Sequence, residues 1–127
     1  MKLRTLQGQF LQRRVERVDP TKYVDGVLSP TGERVLHVPV DTFAEAHGIR
    51  FLCPKCYAEN GGPAGVHQVV CWFEGKVPDD ALPKPGRWNP TGTGLDDLSF
   101  VPGRKTESVL LLGGCNWHGF VRNGEAA

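Results

Sequence analysis

Two short sequences hold the residues best able to do chemistry: Cys53-Pro54-Lys55-Cys56 and Cys115-Asn116-Trp117-His118. Each sets two soft metal ligands three positions apart in a turn-prone stretch. Together they supply three thiolates and one imidazole, the donor set of a closed tetrahedral Cys₃His site for Zn²⁺. A turn of this kind lets two sulfurs reach one ion while backbone N–H groups offset thiolate charge. Zinc–sulfur bonds of about 2.3 Å and zinc–nitrogen bonds of about 2.0–2.1 Å require Cys53, Cys56, Cys115 and His118 to converge tightly. About 60 residues lie between the pairs, against roughly 15–20 in a small zinc ribbon. The ion is therefore expected to pin two ends of a domain. Treated as a crosslink, it removes about 4 kcal/mol of unfolded-chain entropy, a large share of a typical total of about 5–15 kcal/mol.

Other residues compete for these roles. Cys71 reads either as a rival ligand or as a small buried hydrophobe, the usual place of a free thiol. His67 is the other spare ligand, or a strand-end histidine bonded to backbone. His37 and His47 read as surface residues. A thioredoxin-like redox motif needs a helix starting at the C-x-x-C, and Tyr57-Ala58-Glu59-Asn60-Gly61-Gly62 makes a poor one. A zinc deaminase needs H-x-E and P-C-x-x-C, yet no histidine here has Glu two residues on, and Leu52 precedes Cys53. A zinc hydrolase needs an open metal position and an acid/base. Glu59 and Glu74 are available for that, but their spacing does not assign them.

These residues must be positioned by short elements. In 1–36, read as a hairpin-like arm, an alternating stretch from Gln9 to Glu16 leads to turns at Asp19-Pro20, Asp25-Gly26 and Ser29–Glu33, then to a strand over Arg34–Val38. A short helix is expected over 41–48, with Asp41 as N-cap and Gly48 after its end. It feeds the strand Ile49–Leu52, which delivers the first cysteine pair. Val66–Phe73 is the clearest strand. Its alternation puts His67, Val69, Cys71 and Phe73 on one face and Val66, Gln68, Val70 and Trp72 on the other, so a central strand covered on both sides is expected. Residues 75–106 form a long proline- and glycine-rich loop. Trp88, Leu95, Leu98, Phe100 and Val101 mark it as ordered, with a short strand near Leu98–Val101. A further strand is expected over Ser108–Leu112, and the tail from Asn123 is expected to be frayed or turned.

The chain has 127 residues, a net charge of +1 and abundant Gly and Pro. One domain with a real core is the natural expectation. The fold class expected is β-rich α+β: a small antiparallel sheet with one short helix, stapled by a structural zinc. Near-neutral charge argues against nucleic-acid binding by the whole chain. A local basic stretch, Lys2, Arg4, Arg13, Arg14 and Arg17 against Glu16, is either a solvated arm or a contact for nucleic acid. The first residues lack the apolar run of a signal peptide. No apolar run approaches the length that crosses a bilayer. A location in a bacterial host cytoplasm or on a virion is expected, and in a reducing compartment four cysteines suggest metal or chemistry over disulfides. The stretch from Arg87 to Asp97 is a possible partner-binding site. There Arg87 and Trp88 can serve as hot-spot residues, and Asp96 and Asp97 can meet a cation or a basic partner. The alternative is a packed turn with Trp88 in the core.

Phe51–Cys56, then His67 with Cys71-Trp72-Phe73, then Gly86-Arg87-Trp88 with Gly92–Leu98, then Gly113–Gly124, form an ordered series of motifs over most of the chain. The series resembles a set of small uncharacterised phage and prophage proteins. The resemblance implies a zinc-binding domain in which an early C-x-x-C and a late C-x-x-H share a metal, with Cys53, Cys56, Cys115 and His118 as ligands. It implies no catalytic residue. The expected function is a non-enzymatic phage accessory or structural protein that binds another phage or host protein. A nucleic-acid-binding zinc module and a zinc-dependent hydrolase are the alternatives.

Overall fold

A computed structural model gives the fold; it describes residues 1–105, 107–112 and 114–127. Thr106, the last residue of the expected long loop, and Gly113, two residues before Cys115, lie outside the described residues. The elements run β1 (Gln9–Arg17), β2 (Tyr23–Val24), β3 (Val27–Leu28), β4 (Glu33–Val40), β5 (Gly48–Leu52), α1 (Pro54–Asn60), β6 (Gln68–Trp72), β7 (Asn89–Thr91), β8 (Ser99–Val101), β9 (Val109–Leu110), β10 (His118–Gly119), β11 (Val121–Arg122) and β12 (Glu125–Ala126). The protein is β-rich, with one α-helix among the described residues and small antiparallel sheets.

The main sheet has the order β4-β1-β5-β6. β4 pairs with β1 along its whole length, from Phe10↔Val40 to Arg17↔Glu33. β1 pairs with β5 only from Gln9↔Arg50 to Leu11↔Gly48. Past Leu11 the β1–β4 ribbon therefore leaves the sheet, and its residues are exposed or half-buried. Asp25 and Gly26, at φ 51° and 76°, close the β2–β3 tip. Both central residues of a type I′ hairpin need positive φ, and Asp-Gly is a preferred pair for it.

β6 is an edge strand, which corrects the expectation of a central one. Its two faces are also unequal, where both were expected to be covered. Val69, Cys71 and Phe73 are buried in the main core, whereas Gln68 is exposed and Val70 half-buried. Trp72 is buried on the opposite face because the loop after β6 folds over it. The Trp72 indole Nε1 donates to the Leu82 carbonyl at 2.9 Å, and the Trp88 N–H donates to the Trp72 carbonyl at 3.1 Å. The proline-rich loop thus covers the sheet's second face.

Gly48 makes this possible. The expected helix over 41–48 is only a 3₁₀ turn, Phe43–Glu45, capped by Thr42 and not Asp41. Gly48 opens β5 instead of ending a helix. A Cβ there would lie 2.6 Å from both the Cys71 carbonyl oxygen and Trp72 Cε3. The missing side chain lets Trp72 lie across β5, with its ring 5.0 Å from that of His37 on β4. A short segment has little helix stability of its own, and here packing of Phe43 against Phe10 and Phe73 sets its course.

The real helix is α1, in a stretch read as non-helical. Pro54 sits in its first turn, where its fixed φ fits and its missing N–H costs nothing. Gly61, at φ 70°, ends it in the left-handed conformation. At the other end of the chain, Asn123 and Gly124 turn β11 into β12. Ala126 is fully buried and its carbonyl accepts from the Met1 amino group at 3.0 Å. The tail is therefore turned, as one alternative had it, and is not frayed. β8 falls within the strand expected near Leu98–Val101, while only Val109–Leu110 of the Ser108–Leu112 stretch is strand. Among the described residues no helix is long and apolar enough to cross a membrane.

Candidate metal centre

Three separate parts of the chain build the site. Cys53 caps the N-terminus of α1 and Cys56 lies in its first turn, so the helix holds two thiols on one side. His67 immediately precedes β6, and its carbonyl accepts from the Cys53 N–H at 3.0 Å, which ties the strand end to the first cysteine. Cys115 sits between Gly114 and Asn116, both in the left-handed region at φ 57° and 53°. That turn is anchored from both sides. Lys55 Nζ donates to the Cys115 carbonyl at 2.6 Å, and buried Trp117 packs edge-on against Phe51 with centroids 6.1 Å apart.

The Sγ atoms of Cys53, Cys56 and Cys115 and a ring nitrogen of His67 all lie within 4.8 Å of one another. This cluster can hold a metal ion. Cys53 Sγ and Cys115 Sγ are 3.6 Å apart, and His67 Nε2 is 3.3 Å from Cys115 Sγ. Bonds of zinc length at tetrahedral angles place two sulfurs about 3.8 Å apart and a sulfur and nitrogen about 3.6 Å apart. A disulfide needs about 2.05 Å, and all four cysteines are free. The donor set and its spacing fit a tetrahedral thiolate-rich ion.

The fourth member of the cluster is His67, not His118. His118 is exposed on β10, paired with Leu110, and its ring lies 6.3 Å from Phe120. The physical reason is the local backbone. After Asn116 the chain is extended, and successive side chains in an extended chain alternate. Trp117 enters the core, so His118 points away from it and from the thiols. His67 was recognisable only as a spare. Its one signal was the alternation that placed it on the core-side face with Val69 and Cys71.

Crowding three thiols without a cation separates their acidities. Desolvation, and then the neighbouring Cys115 and Cys53 thiols, push Cys56 up to about 12. The Trp117 backbone N–H, offset by desolvation and aided by His67, draws Cys115 down to about 7. Burial alone pushes the Cys71 thiol up; that side chain is fully buried in the core and is not part of the cluster. The nucleophile is the thiolate. In metal-stripped, folded protein, iodoacetamide near neutral pH is expected to label Cys115 first and Cys71 last, as read by peptide mass spectrometry. Equal rates at Cys71 and Cys115 would contradict this arrangement.

The remaining candidates divide. Arg87 and Trp88, read as candidates for a recognition surface, are 5% and 8% exposed. Trp88 stacks on Phe100 at 5.8 Å, as the packed-turn alternative had it. Asp96 is exposed and paired with Arg4 at 2.6 Å, which lowers its pKa. Asp97 accepts from the Thr93 and Gly94 N–H groups, each at 2.9 Å, and these bonds lower its pKa and close the Gly92–Gly94 turn. Glu74 accepts from the backbone N–H of Arg104 at 2.7 Å. The α1 helix removes the reason for setting aside a redox C-x-x-C, since a helix does start there. What argues against a dithiol is the company of Cys115 and His67. No protein family, curated protein or solved structure matches this chain.

Proposed function

We propose that this protein is a small non-enzymatic module, stapled by one structural Zn²⁺ held by Cys53, Cys56, His67 and Cys115, that acts by binding another protein. The observation that carries this reading is the convergence of four ligand atoms within 4.8 Å from three separate segments. Three thiolates and one imidazole favour zinc over the harder divalent cations. Four protein ligands fill a tetrahedral shell, whereas catalytic zinc keeps one position for water or substrate. The likeness to small phage and prophage proteins extends the proposal to an accessory or structural role in a virion or infected cell.

The basic N-terminal stretch supports nucleic-acid binding less well. Arg4 is engaged by Asp96. Along β1, alternation places Arg13 and Arg17 on one face and Arg14 on the other, so the stretch does not form one stripe.

The test is metal content. Protein purified without added metal is expected to carry one zinc per chain by elemental analysis. Cys115→Ser is expected to lose the metal and much of its thermal stability. Cys71→Ser is expected to keep the metal and to lose only about 1–3 kcal/mol, the cost of a buried unpaired polar group. Zinc lost from Cys71→Ser and retained by Cys115→Ser would reverse the assignment.

A further inference from the structure

An open apolar groove of about 520 Å³ runs beside the outer edge of β6. One wall is β6 itself, through Gln68 and Val70. The other is the 109–112 segment, and Pro83 and Pro85 form the lip. Trp88 supplies the floor, fixed by its Nε1 donating to the Ser108 carbonyl at 3.0 Å. Leu110 and Leu112 stand at the rim, 51% and 88% exposed.

The β6 wall has a polar requirement as well. The carbonyl of His67 and the N–H of Phe73 bond on the β5 side, whereas the Trp72 carbonyl bonds outward to Trp88. Alternation then directs the N–H and C=O of Gln68 and Val70 outward, into the groove. β6 pairs only with β5, and no described residue pairs with these outward groups. An apolar channel beside unpaired strand backbone is complementary to one kind of ligand, an extended peptide, which answers the backbone with its own and fills the channel with alternate side chains. Charge narrows the choice. Lys84 is the one ionisable residue among those lining the groove, and Lys105 Nζ lies on the Pro85 carbonyl at 2.9 Å.

We propose that this groove docks an extended apolar segment of another protein, added as a fifth strand along β6, with acidic flanking residues against Lys84 and Lys105. The inference rests on the protein-binding part of the proposed function. The metal contributes by position: β6 begins one residue after His67, and the opposite wall ends shortly before Cys115, so one ion holds both walls at the same end.

The test uses the metal-loaded full chain and short synthetic peptides with a core of alternating Val and Thr, flanked by Asp or by Lys. Isothermal titration and zinc content are measured on the same samples. The Asp-flanked peptide is expected to bind. Affinity is expected to fall about tenfold or more with Lys flanks, with N-methylation of alternate core amides, and in Val70→Pro and Leu112→Asp. Proline at position 70 removes an outward N–H and leaves the β5 ladder intact, as edge strands tolerate; Leu112→Asp changes an exposed side chain and keeps the test valid if the first variant misfolds. Zinc-loaded protein that binds none of the peptides, or that binds the N-methylated one equally well, overturns the groove and leaves the metal site standing. Peptide binding by protein that never holds zinc leaves the groove standing and removes the staple. A dimer by sedimentation that Val70→Pro dissociates makes a second copy the occupant and overturns the proposal.

Discussion

His67→Ala is expected to release the metal and His118→Ala to retain it. His67 contributes one of four clustered ligand atoms, whereas His118 is exposed on β10 and outside the cluster. An ion held by the cluster would close a loop between residues 62 positions apart, Cys53 and Cys115, and a crosslink over that span is worth about 4 kcal/mol in the chain-entropy account. Each kcal/mol moves the thermal midpoint of a domain this size by about 3–5 °C. His67→Ala is therefore expected to melt about 12–20 °C lower with its zinc lost, and a chelator is expected to lower the wild-type midpoint similarly. His118→Ala is expected to stay within about 0.5 kcal/mol, as exposed substitutions do. Zinc retained in His67→Ala and lost from His118→Ala would restore the ligand set that sequence spacing alone suggests.

Arg87→Met is the second large effect expected, at a place remote from metal chemistry. The Arg87 guanidinium is buried and pairs with no carboxylate among the described residues. Its Nη1 donates to the carbonyls of Pro83 and Gly86 at 3.0 and 2.7 Å, and its Nη2 to those of Pro78, Asp79 and Ala81 at 2.8, 3.3 and 2.9 Å. One side chain thus gathers the carbonyls of the loop that covers Trp72. A proline-rich segment has few N–H groups to do this for itself. Methionine replaces the aliphatic stem as far as Nε but leaves those carbonyls without a donor, at a cost of about 3–5 kcal/mol. Thermal melts are expected to fall by roughly 10–20 °C, with a red shift in tryptophan emission as Trp72 meets water and with zinc content unchanged. A loss under about 0.5 kcal/mol would show that the loop holds without this residue.

The sequence made some of this legible for identifiable reasons. Cys53 and Cys56 could be read from spacing, because two ligands on one turn must be close in sequence; Cys115 was read from a C-x-x-H spacing whose histidine lies outside the cluster. The Asp25-Gly26 and Asn123-Gly124 turns follow from local backbone chemistry, although the ordering of the tail by Met1 does not. The fourth member of the cluster was not legible. His118 completes a C-x-x-H, but positive φ at Asn116 and the burial of Trp117 turn it outward, and neither is a property of the spacing. His67 reaches the site through the β5–β6 pairing, a contact between distant residues. The same holds for Gly48, which looked like a helix stop and is a gap for an indole, and for Arg87, whose partners form only when the loop folds back. The helix at Pro54 was hidden behind weak local propensity and is held by its proline start, its Gly61 end and the core beneath it.

The most direct test is X-ray absorption at the zinc edge on protein purified without added metal. One zinc per chain is expected, with three sulfurs at about 2.3 Å and one imidazole nitrogen at about 2.0–2.1 Å, and with loss of the imidazole signal in His67→Ala. A folded protein with no bound metal, or an ion with water in its fourth position, would contradict this expectation.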